Sequence, residues 1–244
     1  MGRKNRRMKM KQVEHLKLVD AQIMETDFRR DRKVELAARN PKQQRLINLL
    51  ENPNKHITFA IGPAGTGKTL VSTLYAIRSL KNKTTQKIII TRPAVSVDEQ
   101  HGFLPGTLVE KMSPWTKPMF DIFEEYYSPS EIGQLINENI IEIAPLAYMR
   151  GRTFKNSIII ADEMQNATDN QMKMLLTRIG ENSKIVVTGD LDQHDRGYDN
   201  NGLKMFVDRL HKRNSGMIGI VEFSKAEIER HPVVDEVLNL YAMI

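Results

Sequence analysis

Gly62-Pro63-Ala64-Gly65-Thr66-Gly67-Lys68-Thr69 is the stretch on which the reading of this chain turns. It satisfies G-x-x-x-x-G-K-[ST], follows the apolar run Ile57 to Ile61 and precedes a helical pattern from Leu70 to Leu80. Strand, glycine-rich loop and helix in that order form a cradle for phosphates. The glycines let the backbone curl until its N–H groups face a β-phosphate, and the first turn of the helix adds the positive end of its dipole. Gly62, Pro63, Ala64, Gly65, Thr66, Gly67, Lys68 and Thr69 are therefore expected at a bound nucleotide. Lys68 is placed to reach the β- and γ-phosphates, and the Thr69 hydroxyl to ligate Mg2+. ATP with magnesium is the expected ligand.

Outward from the loop, apolar runs at His56–Ile61, Lys87–Thr91, Ile140–Ala144, Ser157–Ala161, Lys184–Thr188 and Ile218–Phe223 read as strands, with longer helical patterns between them. Such alternation, from about Pro41 onward, marks a parallel sheet in an α/β fold, with functional loops gathered at the carboxyl ends of the strands. Thr168 with Gln171 forms a capping-box pattern ahead of Met172, Met174, Leu175 and Leu176, and Gly180 reads as the left-handed residue that ends this helix. Upstream, Val13, Leu16, Val19, Ile23 and Phe28 recur near helical spacing. Residues 1–39 thus read as a basic arm carrying an amphipathic helix, and residues 40–244 as the ATP-binding domain.

The run Ser157 to Ala161 ends in Asp162-Glu163. A carboxylate at a strand end near the phosphates suits a magnesium shell, and a second beside it suits the polarisation of an attacking water. Asp162 is assigned to the metal and Glu163 to the water. The next strand ends in Thr188-Gly189-Asp190-Leu191-Asp192-Gln193. A neutral amide or hydroxyl there can bond a γ-phosphate and report its loss, so Gln193 is read as the sensor, with Thr188 as a second candidate. The expected fold is α/β: a RecA-like P-loop core with a mainly parallel sheet flanked by helices, plus the basic N-terminal helical arm.

The 244 residues suit one such core, not two. The net charge of +6 has a location: Arg3, Lys4, Arg6, Arg7, Lys9 and Lys11 fall within residues 1–12 without an acid, and the rest of the chain balances 30 bases against 30 acids. A basic run of this kind neutralises phosphates on nucleic acid, although a solubilising tail has the same composition. Without cysteine there can be no disulfide, thiolate metal site or cysteine nucleophile. No uninterrupted apolar run is long enough for a membrane span or a signal peptide, and a cytoplasmic protein is expected. His56, His101, His194 and His231 lack metal-ligand spacing. Trp115, Phe120, Phe123, Tyr126 and Tyr127 offer rings for base stacking, but their helical spacing favours an ordinary core face.

Taken together these segments resemble the PhoH family, whose ATPase core is similar to half of a superfamily-one helicase. The matching residues are GPAGTGKT at 62–69, Thr91-Arg92-Pro93-Ala94-Val95, Gly102-Phe103-Leu104-Pro105-Gly106 and IAPLAYMRGRTF from Ile143 to Phe154. They continue with Asp162-Glu163-Met164-Gln165-Asn166, Thr188-Gly189-Asp190 with Gln193, and Arg230-His231-Pro232-Val233-Val234, so the resemblance covers roughly residues 40–244. Met164 departs from the pattern, since alanine is more usual there.

The resemblance implies further roles. Gln44 corresponds to the glutamine that recognises adenine, with Gln43 as the neighbouring candidate. Arg92 and the Gly102 to Gly106 loop resemble nucleic-acid-facing segments, and Arg150 and Arg152 are set to face phosphates of ATP or of nucleic acid. P-loop hydrolysis generally places an arginine against the γ-phosphate. Arg230 is the candidate, acting within its own subunit or on a neighbour, and the resemblance implies a head-to-tail hexameric ring. The expected function is ATP hydrolysis coupled to binding or remodelling RNA or single-stranded DNA. A nucleotide-switched oligomeric scaffold and a small-molecule kinase are the alternatives, and Glu163 argues against the kinase by favouring water as acceptor. No Asn-Lys-x-Asp pattern points to guanine.

Overall fold

The computed structural model describes residues 32–93, 108–193, 201–213, 215–229 and 232–241. The expected amphipathic helix of the arm, the Gly102 to Gly106 loop and Arg230 lie outside these residues. From Arg32 an irregular segment leads in, and Val34 is already buried in the same apolar cluster as Ile77 and Phe123.

Helix α1, Pro41–Glu51, starts where Asn40 accepts from the Gln43 N–H, with Pro41 in the first turn where its missing N–H costs nothing. It buries Leu46, Ile47 and Leu50. Strand β1, Ile57–Ile61, is buried at every residue and runs through the loop into α2, Lys68–Lys81. Strand β2 is Lys87–Thr91, followed by α3 at Leu108–Phe123 and α4 at Pro129–Asn137. A reciprocal Ser128–Glu131 capping box opens α4. Next come β3, Ile141–Ile143, a 3-10 turn at Leu146–Met149 and β4, Ser157–Ala161. A second 3-10 turn, Met164–Asn166, precedes α5, Asp169–Leu176, and β5 is Lys184–Gly189. Helix α6, Gly202–His211, strand β6, Ile218–Glu222, and helix α7, Pro232–Tyr241, complete the described chain.

The strands form one parallel sheet in the order β3-β2-β4-β5-β1-β6. The near-continuous apolar runs of β1, β2, β4 and β5 reflect burial on both faces, as in parallel sheets generally. Alternate residues feed opposite cores. Phe59, Ile89, Ile159, Ile185 and Val187 join Met172, Leu175, Leu203 and Val207 beneath α5 and α6. Ile88, Ile90, Ile158 and Ile160 pack with Ile77, Met119 and Phe123 on the α2 and α3 side. Phe59 also stacks on Phe206 with ring centres 5.2 Å apart.

Two local expectations change. Gly180 does not end α5, which closes at Thr177; it lies beside Phe154, whose carbonyl accepts its N–H at 2.7 Å and leaves no room for a Cβ. The Thr168–Gln171 box that starts α5 is formed as the spacing predicts. In the aromatic group, Phe123 and Tyr126 are buried among apolar residues, in keeping with a core face. No helix among the described residues is long and apolar enough to cross a membrane.

Candidate nucleotide-phosphate site

Parallel register brings the carboxyl ends of three strands together. Ile61 of β1 is level with Gly189 of β5, and Ala161 of β4 with Val187, so Gly62, Asp162 and Thr188 emerge on one rim. The loop leaves β1 through Gly62 and enters α2 through Gly67, both at positive φ. A Cβ on Gly62 would lie 2.4 Å from Phe223 O, and one on Gly67 2.6 Å from Gln43 Nε2, so glycine is needed for space as well as for conformation.

Lys68, the first residue of α2, folds its ammonium back over the loop and donates to Gly62 O at 2.6 Å and Pro63 O at 2.7 Å. Burial lowers its pKa, an effect opposed by the nearby carboxylates of Asp190, Glu163 and Asp162. Thr69 Oγ1 donates to Asp162 Oδ1 at 3.1 Å, and the Thr188 hydroxyl donates to the same oxygen. Glu163 stands at positive φ, 53°, an uncommon conformation for a residue with a side chain, and begins the turn Met164–Asn166. That turn returns Gln165 beneath it. Gln165 Nε2 donates to Glu163 Oε2 at 2.5 Å, and its Oε1 accepts from Asp190 N at 3.2 Å. One buried amide thus ties the ends of β4 and β5.

Lys68, Thr69, Asp162, Glu163, Asp190 and Gln193 line a single pocket of about 260 Å³ together with the loop residues Ala64, Gly65 and Gly67. The donor set fits magnesium: a hydroxyl and a carboxylate oxygen side by side are the hard ligands this ion takes from a protein, the remainder coming from phosphate and water. Thr69 and Asp162 would hold it.

Gln193 lines the pocket and is exposed. Gln44 is elsewhere. It lies exposed on α1 and donates to Asn48 Oδ1 at 2.9 Å, because successive residues on a helix point roughly 100° apart and only one of the pair faces the loop. That one is Gln43, 4% exposed, which accepts from Arg39 N at 3.0 Å and donates to Thr66 O at 3.1 Å. Its amide braces the loop from behind.

The arginines separate as well. Arg152 forks onto Glu142 at 2.5 and 2.9 Å and lies over the Phe154 ring, while Lys87 joins the same carboxylate at 2.8 Å. Arg152, followed by burial acting the other way and then Lys87, leaves the Glu142 carboxyl depressed to about 2. Arg152 is therefore a partner within the fold and not a free phosphate ligand. The guanidiniums of Arg92 and Arg150 have no hydrogen bond or ion pair among the described residues, and neither lines the nucleotide pocket. Arg230 is outside the described residues, but Glu229 before it donates its N–H to Gly65 O at 3.0 Å and accepts from Asn40 Nδ2 at 3.0 Å.

Sequence reasoning missed Gln165 and Asp190 as site residues, and it named Gln43 only as the second candidate for adenine, behind Gln44. Gln165 had a faint signal, an amide two residues past the catalytic-type glutamate. Asp190 had none that separates it from a helix-capping acid.

The family model described as PhoH-like protein matches residues 35–242. The chain is 41% identical over 223 residues to a PhoH-like protein of Mycobacterium tuberculosis (strain ATCC 25618 / H37Rv), covering 91% of this chain and 62% of that one. To a PhoH-like protein of Bacillus subtilis (strain 168) it is 43% identical over 187 residues, 76% of this chain and 58% of the relative. To Protein PhoH of Escherichia coli (strain K12) it is 41% identical over 217 residues, 85% of this chain and 58% of that protein. It thus spans about three-fifths of the length of the relatives it matches. Among solved structures it is similar, at TM-score 0.44 and 12% identity, to the DUF1998 helicase MrfA bound to DNA, over 75% of this chain and 27% of that one.

Proposed function

The chain belongs to the PhoH-like protein family, and from that premise we propose that it binds ATP with magnesium, hydrolyses the γ-phosphate, and couples the reaction to binding or remodelling RNA or single-stranded DNA. The observation that carries the ATPase half is the convergence of Lys68, Thr69, Asp162 and Glu163 on one pocket. Each group has a separate task there. Lys68 leaves the carbonyls of Gly62 and Pro63 for the β- and γ-phosphates. Thr69 and Asp162 would hold magnesium, which when bound would supply positive charge to offset the charge that develops on the phosphates. Glu163, fixed by Gln165, orients water and accepts its proton. Gln193 at the mouth bonds the γ-phosphate and loses that contact after cleavage.

Arg230 is our candidate for the arginine that meets the γ-phosphate. Glu229, the residue before it, donates its N–H to Gly65 O of the same chain. For assembly we keep the head-to-tail ring of six that family resemblance implies, and the exposed Val234, Val237 and Leu240 of α7 support an apolar contact between subunits. The nucleic-acid half is supported by the six bases of the arm and by Arg92 and Arg150, which are unpaired among the described residues.

Paired substitutions test the hydrolytic reading. Lys68→Ala is expected to remove ATP binding, measured by calorimetry, whereas Glu163→Gln keeps binding and lowers turnover by a factor on the order of 10²–10⁴. Equal loss of binding in both would sink the assignment, and full turnover in Glu163→Gln would favour a different base.

A further inference from the structure

We propose that Tyr148, on a turn that ends at Arg150 and is hydrogen-bonded to the Arg92 backbone, is a stacking platform for unpaired bases of a single nucleic-acid strand. The inference rests on the nucleic-acid half of the function proposed above and names the surface that performs it.

Tyr148 is 65% exposed, more than any other large hydrophobic side chain among the described residues. Its turn is not loose. The 3-10 turn Leu146–Met149 is pinned at both ends by side chains in the core, Leu146 at 1% and Met149 at 0% exposure. The Tyr148 N–H donates to Pro145 O at 2.9 Å, and the Leu146 N–H reaches Arg92 O at 3.4 Å. A ring held outward on an anchored turn loses little conformational freedom when a flat partner settles on it. Gly151, at φ 78°, turns the chain immediately after Arg150.

The surroundings define the partner. Arg150 is exposed and Arg92 half-buried, and neither guanidinium is neutralised among the described residues, whereas Arg152, two residues on, is fully engaged by Glu142. An exposed aromatic face on a turn shared with guanidiniums that are unpaired among the described residues meets the two demands of a single strand: a π-surface for bases and cations for phosphates. A protein-docking patch would call for further apolar neighbours. Among the described residues the other large exposed apolar side chains, such as Met205, Met217 and those of α7, lie on different elements.

This platform is also wired to the nucleotide pocket. The Asp162 N–H donates to Thr91 O at 2.9 Å, and the next residue is Arg92, which receives the Leu146 N–H. Two backbone hydrogen bonds therefore separate the metal-binding carboxylate's residue from the turn that carries Tyr148.

The test compares anisotropy titrations of the full chain with a labelled oligothymidine, an oligouridine and an abasic strand of the same length. Wild type is expected to bind the base-bearing strands more tightly than the abasic one. Tyr148→Ala should lose roughly tenfold in affinity for base-bearing strands, and little for the abasic strand. Tyr148→Phe should retain wild-type binding, because it keeps the ring. Arg150→Ala should weaken all three strands and reduce the salt slope by about one. Tyr148→Ala binding oligothymidine and oligouridine as wild type does would overturn the platform while leaving the nucleic-acid reading standing. Wild type that binds none of the strands would overturn both. Equal loss on abasic and base-bearing strands with a lowered Tm would assign Tyr148 to the fold instead. A change in sedimentation of the assembly with unchanged strand binding would make it a protein contact.

Discussion

Gln165 shows how much of this site is held by a residue without chemistry of its own. Its amide hydrogen-bonds Glu163 through nitrogen and the Asp190 N–H through oxygen, so it fixes the direction of the carboxylate and the spacing of two strand ends. Gln165→Ala should lower kcat by roughly 10- to 100-fold, the range typical of groups that orient a functional residue, while the affinity for ATP stays within a few-fold. Steady-state kinetics separate the two, and a loss confined to KM would refute the positioning role. At this scale the sequence was legible where chemistry demands a fixed spacing. Lys68, Thr69, Asp162 and Glu163 lie where the motif and the strand ends put them. It was not legible where the answer depends on direction. Gln43 and Gln44 are adjacent and chemically identical, and only the rotation of α1 about its axis decides which one reaches Thr66. Arg152 looked like a phosphate ligand because Glu142, its partner, sits ten residues earlier on β3 and no local pattern pairs them.

The elements themselves were read closely, and the reason is burial. Strands covered on both faces must be apolar throughout, so β1, β2, β4 and β5 stand out as short Ile and Val runs, and their observed ends fall within one residue of those expected. The central strands of the sheet are the easiest to find. Strand β3 is different: it is an edge strand of three residues, and its middle side chain is the charged Glu142. Arg152 and Lys87 from neighbouring segments converge on that carboxylate, and its pKa falls to about 2 from an ordinary 4.5. A depressed carboxyl stabilises the fold above its unfolded pKa and loses that contribution as pH falls through the folded value. Wild type should therefore exceed Glu142→Gln in stability by an amount on the order of 1–2 kcal/mol at neutral pH, discounted for solvent around the pair. The difference should shrink between pH 4.5 and 2, since protonated Glu142 is as neutral as glutamine. Denaturant melts of both proteins across that range measure it. A gap that widens in acid would show that the carboxylate is not what β3 depends on.

For the molecule as a whole, assembly decides how many sites act together. The apolar side chains of Val237 and Leu240 stand exposed on α7, close in sequence to the Glu229 that touches the phosphate loop. If α7 joins subunits, Val237→Asp with Leu240→Asp should convert the assembled species to monomer in sedimentation velocity. An unchanged sedimentation coefficient would remove α7 from the interface. Mixing Arg230→Ala with Lys68→Ala subunits then asks where the arginine acts. Delivery within one subunit predicts no activity beyond the sum of the parts, whereas recovery would place it across the interface. The loop itself is clasped from two sides, by Gln43 at Thr66 O and by Glu229 at Gly65 O, and Asn40 links Glu229 back to the segment ahead of α1. A phosphate bound as proposed would settle onto a buckle that fastens two distant stretches of chain. Any pull on either stretch that alters the grip on ATP must be returned in equal measure, since linkage requires ATP to alter the grip on that stretch by the same factor. With ATP bound as proposed, mechanical load and nucleotide occupancy would be, at this loop, two readings of one free energy.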